Sequence, residues 1–107
     1  MNEPGPAANL SRGVLLEIGG DIGALVVHTT EALLGTEVQV SPAAAGRKRV
    51  HAVVHERQAG GRRVFAAVFP SLGQGDYVVW DGQRRLARVR VIGGKVTEVA
   101  GTACDAP

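Results

Sequence analysis

Residues 64–81 read VFAAVFPSLGQGDYVVWD, and their reading decides the fold. Residues 64–69 are β-branched, aromatic or small, as in a strand. Pro70, Gly73 and Gly75 interrupt the run, and residues 77–80 resume it with four strand-favouring side chains. The pattern is a hairpin, or an arch, with a glycine-bearing loop. All four aromatic residues of the chain fall here. The stretch is therefore expected to supply the bulkiest part of the core.

Working outward, the same period-two signal recurs in both directions. Residues 13–19 (GVLLEIG) place Val14, Leu16 and Ile18 on one face, and Leu15 and Glu17 on the other. Gly19, Gly20 and Asp21 make a turn, and residues 23–29 (GALVVHT) are apolar on both faces. Residues 30–35 (TEALLG) are read either as a loop or as a single helical turn opened by Thr30 and stopped by Gly35. Residues 36–41 (TEVQVS) alternate cleanly. Residues 48–57 (KRVHAVVHER) form the longest alternating run, and Gly60-Gly61 turns the chain into residues 62–69. Asp81-Gly82 is a hairpin turn signal, residues 86–92 are a strand with Arg88 and Arg90 outward, and Gly93-Gly94 leads to a last strand at residues 95–99.

Length, composition and turn spacing agree on fold class. The 107 residues suffice for one domain; apolar residues make up 45% of the chain, and valine recurs among them in short runs, which favours sheet over helix. Short strands punctuated every 8–12 residues predict an all-β fold, an antiparallel β-sandwich of about seven to eight short strands. A flexible N-terminal arm is expected at residues 1–12, the sandwich at 13–100 and a flexible tail at 101–107. The expected core is Val14, Leu16, Ile18, Val26, Val38, Val40, Val50, Val54, Phe69, Leu72, Tyr77, Val89 and Val91.

Residues 69–99 carry a more specific pattern. Phe69, Leu72, Gly75, Asp76 and Tyr77, followed by a strand, a hairpin and a final pair of strands around Gly93-Gly94, resemble the closing half of the prealbumin-like domains. These include transthyretin, the carboxypeptidase regulatory-like domain and the Cna protein B-type domain. The resemblance covers about a third of the chain. It implies a prealbumin- or immunoglobulin-like sandwich in which Gly75 needs backbone freedom and the Tyr77 hydroxyl reaches a loop carbonyl. It implies no ligand site, because no binding motif of those families is matched. The Lys–Asn isopeptide bond of some B-type domains is not expected, since the only asparagines are Asn2 and Asn9.

Charge and cysteine usage narrow the setting. The chain has 12 basic and 10 acidic residues, a net charge of +2 that by itself implies no polyanion. Cys104 is the single cysteine, so no disulfide within the chain is possible. No secretory signal pattern opens the sequence and no apolar run approaches the ~20 residues of a membrane span. A bacterial, cytoplasmic setting without membrane contact is expected.

Three constellations are candidates for function. His51 and His55 lie four apart on one strand, roughly 13 Å at ~3.3 Å per residue, too far to share a metal unless the strand bends. His28 approaches from a neighbouring strand. The arginines form the second group: Arg47, Arg49, Arg57, Arg62, Arg63, Arg84, Arg85, Arg88 and Arg90. Without exposed aromatics they read as solvated faces and charged strand edges. The third is an apolar set opposite the expected core: Leu15, Leu25, Val27, Val53, Phe65 and Val79. It predicts a homodimer, with Val53 and Phe65 as interface residues. No serine sits in a nucleophile elbow and no acids are paired, so no catalytic residue and no cofactor is expected. The leading expectation is a non-enzymatic binding or protein-interaction module. The alternatives are a small metal protein or enzyme built on His28, His51 and His55, and a weak nucleic-acid binder using the arginines.

Overall fold

The computed structural model describes residues 18–44 and 48–101. Eight strands form two four-stranded sheets: β1 (Ile22–Thr29), β2 (Glu37–Pro42), β3 (Val50–Val53), β4 (His55–Ala59), β5 (Arg62–Gly73), β6 (Gly75–Asp81), β7 (Arg84–Val91) and β8 (Val96–Ala100). The first sheet has the order β4-β5-β1-β8 and the second β3-β2-β6-β7. This is the expected all-β sandwich. A 3-10 turn, Glu31–Leu33, occupies the stretch read as loop or helical turn. The expected strand at residues 13–19, apart from its last two residues, lies outside the described residues. So do the arm at 1–12 and the tail beyond Gly101. Gly101 itself is buried, and its N–H donates to the His28 carbonyl at 2.7 Å.

The strands pair antiparallel except β1 with β8, which run parallel. Hairpins force antiparallel pairing, as in β4–β5 and β6–β7. β8 reaches the first sheet from the second, so no hairpin dictates its direction. The stretch at 64–81 resolves as an arch: β5 belongs to the first sheet and β6 to the second. Gly75, at the crossing, has φ +153°, the freedom expected of it.

The core lies between the sheets and contains Leu25, Val27, Val38, Val40, Val54, Ala67, Phe69, Leu72, Tyr77, Val79 and Val91. The face or burial expected of five residues is corrected. Leu25 and Val27, expected outside, point into this core, while Val26 packs with Ala66 and Val68 on the opposite face of the first sheet. The cause is that residues 23–29 are apolar on both sides, so alternation carries no phase. Val79 also faces inward, because it shares a face with Tyr77 two residues earlier. Val50 is 48% exposed, since it sits on the edge strand β3 beyond the cover of the other sheet.

Candidate functional site

The run 48–57 is not one strand. It breaks at Val54, which lies between β3 in the second sheet and β4 in the first. The Val54 N–H donates to the Thr36 carbonyl and the Val54 carbonyl accepts from the Gly35 N–H, both at 2.9 Å. The side chain is fully buried. This switch of sheets separates the histidines. His51 stays on the second sheet with its Nδ1 3.3 Å from Glu37 Oε1. His55 moves to the first sheet, opposite Ala66. His28 flanks Ala66 on the other side, with its Nε2 2.6 Å from Glu98 Oε1. His28 and His55 are thus two strand spacings apart, roughly 9.6 Å at ~4.8 Å each. Among the described residues no three His, Cys, Asp or Glu side chains group to hold a metal ion.

The two interface candidates also part. Val53 is 37% exposed on the edge of the second sheet. Phe65 belongs to the first sheet and packs against the main core, with the Arg63 guanidinium 5.4 Å from its ring centre. Of the apolar set expected outside, Leu25, Val27, Phe65 and Val79 therefore look inward, and Leu15 lies outside the described residues.

The outer face of the second sheet holds what the sequence reading missed. Val38 and Val40 point inward on β2, so Gln39 and Ser41 point outward. Trp80 pairs with Gln39 and Val78 with Ser41, which puts both outward on β6. Trp80, the only tryptophan, donates its indole N–H to Ser41 Oγ at 2.9 Å. Its ring shields Ser41, which is fully buried although on an outward face. Arg49 stacks on the ring 4.1 Å from its centre, and its guanidinium donates to the Gly82 carbonyl at 2.7 Å and to Gln39 Oε1 at 3.3 Å. The indole is thereby held at its edge and on one face. The alternation Tyr77-Val78-Val79-Trp80 carries this placement: an inward Tyr77 requires an outward Trp80.

Beside this pair runs a basic strand. Arg88 is paired with Val78 and Arg90 with Asp76 in the β6–β7 ladder. One carboxylate serves both: Arg90 Nη1 donates to Asp76 Oδ1 at 3.1 Å and Arg88 Nη2 to Oδ2 at 3.4 Å. Arg85 lies across from Trp80, next to a register shift in that ladder. On the first sheet, burial pulls the Arg57 guanidinium below its ordinary range while its Nε donates to the Ala66 carbonyl at 3.1 Å. It remains charged at neutral pH.

No family model, no curated protein and no solved structure matches this chain. Among the described residues no helix is long and apolar enough to cross a membrane.

Proposed function

We infer that the protein is a non-enzymatic protein-interaction module working through the outer face of the β3-β2-β6-β7 sheet. The observation that carries this reading is Trp80, the largest side chain in the chain, placed outward and pinned between Ser41 and Arg49. Tryptophan and arginine are the residues that most often dominate binding energy at protein interfaces. Holding the indole at two points removes much of the rotamer entropy that binding would otherwise cost. The prealbumin-like resemblance belongs to the same reading, and the Tyr77 hydroxyl on the Gly73 carbonyl supports it. A cytoplasmic setting is part of the same proposal, in keeping with a single cysteine that can form no disulfide within the chain.

Affinity capture from an extract of the source cells, compared between wild type, Trp80→Ala and Arg49→Ala, tests the reading. A partner retained by wild type should fall at least about tenfold with Trp80→Ala, as for an interface anchor. Identical capture by all three proteins would overturn it. A homodimer is the second reading, favoured now by Val50 and Val53, 48% and 37% exposed on the open β3 edge. Light scattering that returns a monomer mass at every concentration removes it.

A further inference from the structure

We propose that the β7 edge is a docking strand for an extended acidic segment of a partner protein, which adds to the second sheet as a fifth strand. The proposal rests on the interaction-module reading and names its surface and partner chemistry.

Among the described residues the two sheets leave four edges: β3, β4, β8 and β7. An edge exposes unpaired N–H and C=O groups and invites another strand, so proteins keep edges short or otherwise blunt them. Three of these edges are short, with four residues in β3 and five each in β4 and β8. β7 has eight. It spans about 26 Å at ~3.3 Å per residue, enough to pair with a peptide. β8, which follows β7 in the chain, is hydrogen-bonded into the other sheet.

Side-chain phase selects the guest. Arg88 and Arg90 project on the outer face, whereas Ala87 and Val89 pack toward the core and Val91 lies within it. An added strand would set alternate residues beside the two arginines and the remainder beside the apolar rim. Arg88 and Arg90 share one carboxylate, and their side chains are 57% and 64% exposed. Each guanidinium has five N–H donors, so both keep free donors for an incoming carboxylate. A second copy of β7 is a poor guest, because antiparallel self-pairing sets arginine near arginine, and like charges across a ladder destabilise it. A nucleic acid fits less well than an acidic peptide. Asp76 and Glu37 lie on the same sheet face, and Arg49 already covers one side of the Trp80 ring.

The probe is a blocked peptide of about ten residues alternating Glu and Val, long enough to cover β7. Its controls are a Lys/Val version, a Glu/Val version with alternate backbone nitrogens methylated, and an oligothymidylate of about a dozen nucleotides. Binding is followed by Trp80 fluorescence and by amide hydrogen exchange along β7. The Glu/Val peptide should slow exchange at alternate β7 amides. The double change Arg88→Glu and Arg90→Glu should weaken it at least about tenfold and let the Lys/Val peptide bind instead. Arg88→Ser with Arg90→Ser gives the same loss in a gentler background, should the reversed variant fold poorly. Equal binding of the methylated peptide, no change in β7 exchange, or preference for the oligonucleotide each overturn the proposal. If it fails while Trp80-dependent capture persists, only the docking edge is wrong. If both fail, the interaction reading falls too.

Discussion

The Tyr77 hydroxyl donates to the Gly73 carbonyl at 2.6 Å, closing the arch between β5 and β6 from its inner side. Burial raises the phenol above its ordinary 10.0. The unfolded chain has the ordinary value, so between the two the native state holds a proton that the unfolded state has released. The stability contributed is therefore complete below pH 10 and is lost as pH rises through the folded value. Tyr77 is the only tyrosine, so tyrosinate absorbance reports it alone. Its midpoint should lie above 10 in the folded protein and return to about 10 in denaturant. Tyr77→Phe should cost about 1 kcal/mol and remove this alkaline loss.

Val54 and Val53 are neighbours with opposite fates. Val54 is fully buried at the point where the chain changes sheets, and Val53 is 37% exposed. Val54→Ala removes two methyl groups from a packed core and should cost about 2–3 kcal/mol. Val53→Ala should stay within about 0.5 kcal/mol. Urea midpoints compare them directly, and equal losses would mean that the pivot is misplaced.

The strands were legible because their period of two survives wherever one face is polar. Residues 36–41 and 86–92 are the clearest cases, and both became strands close to their expected bounds. The phase of β1 was not legible, since Ala24, Leu25, Val26 and Val27 are apolar on both sides. Nor was the break at Val54. A continuous alternation looks the same whether the strand stays in one sheet or crosses to the other, because the switch depends on the Gly35 and Thr36 backbone groups that receive it. Trp80 was readable in principle from its position relative to Tyr77. Size alone suggested a core residue, and the hydrogen bond to Ser41 and the arginine above it are tertiary facts.

Gly93 tests the joint between the β7–β8 turn and the start of β1. A Cβ there would run into the Gly20 carbonyl oxygen and lie 2.6 Å from the Asp21 Cα. Both obstacles are backbone, so relief requires the loops to separate. That separation would disturb the bond from the Gly93 N–H to Gln74 Oε1, now 2.9 Å. Gly93→Ala should cost about 2 kcal/mol or more, as overpacking does. Thermal unfolding should show a midpoint lower by roughly 8–16 °C for a domain of this size. A midpoint within about 2 °C of wild type would mean that the loops are not in contact.

Trp80 offers a direct test of the outer face, because the only tryptophan is also its centre. Arg49 shields one side of the indole. Arg49→Ala should raise acrylamide quenching of the fluorescence, at a stability cost of about 0.5–1 kcal/mol for a partly exposed cation–π pair. Arg49→Lys keeps the charge but loses the flat stacking surface that lies on the ring, so its quenching should resemble that of the alanine variant. Ser41→Ala acts from below. It removes the acceptor of the indole N–H and should cost about 1 kcal/mol. The ring then loses its edge anchor while Arg49 still covers it, so quenching should rise less than with Arg49→Ala. Quenching that is unchanged in Arg49→Ala would show that the guanidinium does not rest on the ring in solution, and the pinned indole behind the interaction reading would be lost with it.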